Sequence, residues 1–128
     1  MLNAIVLTLS QYYDIRSLVR EAEMSQNPNA PPLKDPLPEP MTPIQARNQA
    51  RWILEHGSVK YPDHALKRLV DHGMSQVDAI NVIRAGVYQP PEIQNAQWRY
   101  RIHTKRFYVV IAFERADRLA VCTQGRFS

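Results

Sequence analysis

The 128-residue chain carries a formal charge of +4, ten prolines and a single cysteine. That length is one domain's worth, enough to bury an ordinary core, and a lone cysteine excludes an internal disulfide framework and suits a reducing cytoplasm. The charge is uneven: from Gln97 onward seven Lys/Arg stand against two acids, while residues 1–96 hold nine against ten, so the basic character belongs to the C-terminal strands, where nucleic acid, an acidic protein or solvent alone would suit it.

The chain opens with an apolar run, residues 4–9, with no basic stretch before it and no small-residue cleavage site after it. It falls far short of the ~20 residues of a membrane span, so neither an export signal nor a membrane partner is expected. Ile15, Leu18, Val19 and Ala22 then recur at the i, i+3, i+4, i+7 spacing of an amphipathic helix. Residues 1–24 read as an appendage that folds back on the main domain, pairs with a second copy or awaits a protein partner. Seven of the ten prolines follow, from Pro28 to Pro43, a run that supports neither ladder nor helix; residues 25–41 read as an extended, semi-rigid linker.

A folded unit is expected over residues 42–128. Thr42 caps a first helix with Pro43 in its first turn and Gln45 at the reciprocal capping position; Ala46, Ala50, Ile53 and Leu54 form its buried stripe as far as about His56, and Gly57 is the expected left-handed terminator. Residues 58–61 are a connector or short edge strand. Pro62 and Asp63 open a second helix with Ala65, Leu66, Leu69 and Val70 inward and Gly73 at its end. Ser75 and Asp78 cap a third, with Val77, Ile80 and Ile83 inward, ending at Gly86. The acid-His-Gly endings at residues 55–57 and 71–73 suggest a repeat, but the helix dipole and the cap account for both locally.

After an extended stretch around Pro90-Pro91, residues 97–103 alternate: Trp98, Tyr100 and Ile102 point one way, Arg99, Arg101 and His103 the other. Residues 106–113 are almost wholly apolar and β-branched or aromatic, as in a central strand covered on both faces. A turn at residues 114–117 leads to a third strand, residues 118–123, in which Cys122 reads as a small buried hydrophobe. The fold class is α+β: three short helices, then a small antiparallel meander with the helices on one face.

Nucleotide-binding loops, the G-x-S-x-G elbow and paired carboxylates are all missing, which removes support for nucleotide hydrolysis, serine esterase and glycosidase chemistry. His56, His64, His72, His103 and Cys122 show no metal-ligand spacing, and no cofactor is implied. Histidine and arginine remain. His64, Lys67, Arg68 and Asp71 form one stripe on the second helix, Arg84 closes the third, and Arg99, Arg101 and His103 stud the first long strand. That set suits metal-free RNA cleavage through attack of a 2′-hydroxyl on its own phosphate, which needs a proton acceptor and donor and cations around the phosphorane. Trp98, Tyr100 or Tyr108 would stack a base. A solvated polar stripe is the competing reading.

The segments DHALKRLVDHGMSQVDAINVIRAG and WRYRIHTKRFYVVIAFERADRLAVCTQGR resemble DUF4258, a small bacterial domain family of unknown function. The resemblance is carried by His64-Ala65, Arg68, Arg84-Ala85-Gly86, Trp98 to Arg101, Val109 to Phe113, and Val121, Thr123 and Arg126, and covers about residues 42–128. Gln124-Gly125 departs from the pattern, where a small residue and an aromatic are expected. The layout is similar to the RelE and MqsR group of toxin ribonucleases. It implies an RNA-cleaving toxin acting on RNA or the ribosome and neutralised by a cognate antitoxin, with His64, Arg68, Arg84, Arg99 and Arg101 at the reacting phosphate and Lys67, Trp98, Tyr100, His103, Lys105, Tyr108, Thr123 and Arg126 holding substrate. The alternative is a non-catalytic inhibitor or adaptor that engages a protein through the N-terminal appendage.

Overall fold

The computed structural model describes residues 32–127, so the expected appendage and the first part of the expected linker lie outside the described residues. Three helices come first: α1 (Pro43–His56), α2 (Asp63–Asp71) and α3 (Gln76–Ala85). Capping boxes start α1 and α3, with Thr42 Oγ1 accepting from the Gln45 amide and Ser75 Oγ from that of Asp78, so two of the orphan first-turn donors are satisfied. α1 buries Ala46, Gln49, Ala50 and Ile53, with Leu54 only partly covered.

The stripes of the other two helices are narrower than expected. α2 turns Ala65 and Leu69 into the core and leaves Val70 79% exposed. α3 is rotated from the expected Val77–Ile80–Ile83 face: Ala79, Val82 and Ile83 are buried, Val77 is 65% exposed and Ile80 half-buried. Alanine lets a helix approach the sheet closely, and counting only large apolar residues overlooks it.

The strands are β1 (Ser58–Lys60), β2 (Val87–Tyr88), β3 (Glu92–Gln94), β4 (Gln97–His103), β5 (Phe107–Arg115) and β6 (Arg118–Arg126). The sheet order is β1-β6-β5-β4-β2, with β3 also pairing β4. The β4-β5-β6 meander is antiparallel as expected, while β1 adds a parallel edge to β6. β6 runs to Arg126, three residues past the expected end, because pairing with β5 continues through Gly125. The inner face, Tyr100, Ile102, Val109, Ile111, Leu119 and Val121, packs on the helices in one core. β5 is central but not closed on both sides: on its outer face Ala112 is buried, whereas Tyr108 and Val110 are half-buried.

Two glycines act by proximity rather than by handedness. Gly57 and Gly86 have φ of −113° and −75°, so neither is the left-handed terminator expected for Gly57. A Cβ at Gly57 would collide with the Asp117 carbonyl oxygen, and one at Gly86 would lie 2.6 Å from Val82 O and 2.9 Å from His103 O. Each marks a helix end pressed against the sheet.

Residues 32–41, read above as part of the linker, belong to the folded unit. Leu33 and Leu37 pack on the core and Met41 is buried within it. The buried Gln49 side chain accepts from the Leu33 amide at 2.8 Å and donates to the Leu33 carbonyl at 3.3 Å and the Ala116 carbonyl at 2.6 Å. Asp35 Oδ1 accepts from the Ala116 amide at 2.8 Å. Proline density identified an extended path but not the apolar side chains that anchor it. Among the described residues no helix is long and apolar enough to cross a membrane.

Gly86→Ala should destabilise the protein by about 1–3 kcal/mol, the usual cost of overpacking a fitted contact, read as a lowered urea midpoint with unchanged slope. An unchanged midpoint would show that α3 and β4 can separate freely at this point.

Candidate functional site

The strand registers sort the polar residues into rows across the outer face, the face turned away from the helices. One row is Arg101 (β4), Val110 (β5) and Thr123 (β6); the next is His103, Tyr108 and Gly125. Gly125 is needed here, since a Cβ would stand 2.5–2.6 Å from the hydroxyl and ring atoms of Tyr108. The Tyr108 ring therefore lies across β6, with the Arg101 guanidinium 4.6 Å from its centroid and the Phe127 ring 5.5 Å away. Phe127, 45% exposed, is held by its amide, which donates to the Arg106 carbonyl at 2.8 Å. The result is a platform of two aromatic rings with an arginine on one of them.

The edge of β6 meets α2 beside this platform. β1 pairs β6 only over Arg118–Ala120, so the backbone of residues 121–126 is open on that side. α2 covers it through polar contacts. His64 Nε2 lies 3.1 Å from the Cys122 carbonyl, Arg68 Nη1 donates to Thr123 Oγ1 at 3.4 Å, and the buried Gln124 Nε2 donates to the Ala65 carbonyl. A carbonyl only accepts, so the His64 proton sits on Nε2, and the neutral ring keeps its lone pair on Nδ1. His64 and Arg68, one helical turn apart and both exposed, thus touch consecutive residues of β6. Thr123 in turn shares a row with Arg101, two strand spacings or about 10 Å away.

Other expected site residues lie elsewhere. Tyr100 is 2% exposed on the inner face, and its hydroxyl accepts from the Met41 amide at 2.8 Å; it is a core residue, out of reach of any base. Arg84 ends α3 on the helical side of the sheet, opposite Arg101, where its carbonyl accepts from Arg51 Nε at 2.8 Å. Trp98 is partly buried against the core. Lys67 is exposed on α2 and Lys105 in the β4-β5 turn. Arg126 pairs with the core residue Phe107 and alternates to the helical side, where it lies over the Phe107 ring at 5.9 Å. His103 Nε2 is 2.8 Å from Gln89 Nε2; an amide nitrogen only donates, so this ring nitrogen accepts. Arg99 faces outward and donates to Gln94 Oε1 at 3.2 Å.

The two ends of the sheet differ in electrostatics. At the β4-β5 turn Arg101, Arg106 and Arg126 lean on Tyr108 or Phe107. Both ion pairs among the described residues, Lys60–Glu114 and Arg115–Asp117, lie at the opposite end, by the β5-β6 turn. Arginine on an aromatic face keeps its charge and its in-plane donors available, so the β4-β5 end presents cations that no carboxylate neutralises. Cys122, half-buried on β6, has its thiol pushed up by burial, more than nearby Arg99 lowers it. Among the described residues no three His, Cys, Asp or Glu side chains are grouped to hold a metal ion.

Reasoning from the sequence missed Phe127, Arg106 and Gly125. Carrying the alternation of the third strand past Thr123 would have put Thr123, Gly125 and Phe127 on one face. No family model, curated protein or solved structure matches this chain.

Burial pushes the Tyr100 phenol up to about 12 and raises Tyr61 and Tyr88 as well. These groups ionise near 10 when unfolded. Their contribution to stability is therefore whole below pH ~10 and is lost as pH rises through the folded value. Tyr100→Phe should cost about 1–3 kcal/mol at neutral pH by leaving the Met41 amide unpaired, and should flatten the loss of stability above pH ~10. Chemical denaturation across that range checks both; a Tyr100→Phe profile as steep as wild type would refute the assignment.

Proposed function

We propose that the protein binds single-stranded RNA across the β4-β5 end of the outer face and cuts it without a metal, as a toxin-type endoribonuclease. One observation carries the reading: on the outer face Arg101 leans on the Tyr108 ring instead of a carboxylate, beside an exposed ring, Phe127, while Arg106 and Arg126 lean on Phe107 at the same end of the sheet and meet no carboxylate either. Unneutralised cations interleaved with stacking surfaces are what an unpaired strand requires, one for its phosphates and the other for its bases.

Cleavage is assigned to the β6 edge. His64 Nδ1 would take the 2′-hydroxyl proton while Arg68, one turn on, and Arg101, across the row, hold the phosphate oxygens as their charge grows. The leaving 5′-oxygen would take its proton from solvent at this exposed edge. The resemblance to DUF4258 and to the RelE and MqsR layout points the same way. It adds a cognate antitoxin as partner, the bacterial cytoplasm as setting, and residues 1–24 as the segment available for that contact. A second reading, a binding module without catalysis, is favoured by one contact: His64 Nε2 already serves the Cys122 carbonyl, as a purely structural histidine would.

Incubation of the full chain with single-stranded RNA, alone and with ribosomes, separates the two. The cleaving reading expects fragments ending in 2′,3′-cyclic or 3′-phosphate, a loss of about 10²–10⁴ in rate for His64→Ala, and weaker binding by about 1–3 kcal/mol for Tyr108→Ala. Intact RNA that still binds in a Tyr108-dependent way would establish the binding module, and cutting by His64→Ala at the wild-type rate would remove His64 from the chemistry.

A further inference from the structure

A second group of cations lies on the same outer face, nearer the β5-β6 turn. Tyr100 pairs with Ile111, so Arg99 stands opposite Ala112; Ala112 pairs with Ala120, and Ala120 with Lys60. One row therefore crosses four strands as Arg99, Ala112, Ala120 and Lys60. Arg118, two residues before Ala120 on β6, points to the same side. Two alanines form a shallow floor and three long cationic side chains surround it. Ala112 is fully buried among its neighbours.

The two arginines here are incompletely satisfied. Arg99 Nε and Arg118 Nε are both buried with no hydrogen-bond acceptor, the only arginine nitrogens among the described residues in that condition. The carboxylates near them are otherwise placed. Glu114 is 3.8 Å from Lys60, and Glu92, opposite Arg99 on β3, is exposed and forms no ion pair with it. A buried guanidinium N–H without an acceptor is costly and is normally met by an anion or water. Two of them beside one small-residue floor fit an oxyanion, whose several acceptor oxygens match arginine donors.

We propose that Arg99 and Arg118, beside the Lys60–Glu114 ion pair, form a second oxyanion site that takes a backbone phosphate of the strand bound at Arg101. The proposal rests on the RNA-binding reading above. Arg99 and Arg101 are two residues apart on one strand and share a face, which puts them about 7 Å apart along β4. The site would thus continue the phosphate track from the aromatic platform toward the opposite end of the sheet. Longer strands would engage both positions and short ones only the first.

The experiment is the salt dependence of binding of a single-stranded oligoribonucleotide to the full chain. Each phosphate contact on a single strand contributes about 0.7 to the slope of log Kobs against log salt. Arg118→Gln should lower the slope by about that amount, while Arg115→Gln, an exposed arginine beside Asp117, should leave it unchanged. An unchanged slope in Arg118→Gln, in a protein whose binding still falls with Arg101→Ala, overturns the second site and spares the RNA reading. If wild type binds no RNA, the RNA reading fails and with it the phosphate track. Titrating inorganic phosphate into the ¹⁵N-labelled wild-type chain then judges the oxyanion site without any variant. Arg99 and Arg118 Nε–H resonances moving together and saturably would retain it, and resonances that stay put would remove it.

Discussion

The outer face depends on how α2 closes the open edge of β6. Three consecutive β6 residues, Cys122, Thr123 and Gln124, contact His64, Arg68 and the Ala65 carbonyl through polar groups. β6 has no strand partner on that side beyond Ala120, and an unpaired edge is both costly and prone to pair with other chains. One of these contacts, His64 to the Cys122 carbonyl, meets a backbone group that a further strand would have paired, and the other two engage β6 side chains. The pairing of β6 with β5 puts Thr123 in line with Arg101 and places Gly125 under Tyr108.

That register gives the sheet two different faces. Inward, Tyr100, Ile102, Val109, Ile111 and Val121 make one core with the helices. Outward, small residues such as Ala112, Ala120 and Gly125 stand among long or bulky ones, Arg99, Arg101 and Tyr108, and Gly125 makes room for the Tyr108 ring. Charge is divided along the strands as well: carboxylates neutralise cations near the β5-β6 turn, and aromatic rings support them near the β4-β5 turn. Such a division has no evident benefit for stability, since exposed pairs and cation–π contacts are each worth only about 1 kcal/mol. It does suit a surface whose strongest attraction for an anion lies at the β4-β5 end and weakens toward the other.

Much of the fold could be read in the residues because its signals are local. The Thr42 and Ser75 capping boxes, the alternation from Trp98 to His103 and the helices-then-meander order all depend on short spacings. What depended on distant partners was not legible. Nothing near Val77 in sequence says that Ala79 will lie against the sheet, and nothing around Leu33 announces Gln49. The site divides in the same way. Arg101, Tyr108 and Thr123 share the outer face with Arg68 at its edge, but Arg84 and Arg126 fall on the helical side and Tyr100 in the core. Gln124-Gly125, odd in the pattern of the last strand, has a physical reason: the glutamine turns inward to Ala65 and the glycine makes room for Tyr108.

The central claim is that the outer face at the β4-β5 end is where RNA binds, and mapping amide and side-chain chemical shifts of the full chain during titration with a single-stranded oligoribonucleotide tests it most directly. The account expects saturable shifts concentrated at Arg101, Tyr108, Thr123, Gly125 and Phe127, with His64 and Arg68 included and α1 silent. Shifts confined to the helical layer, or none at all, would contradict it.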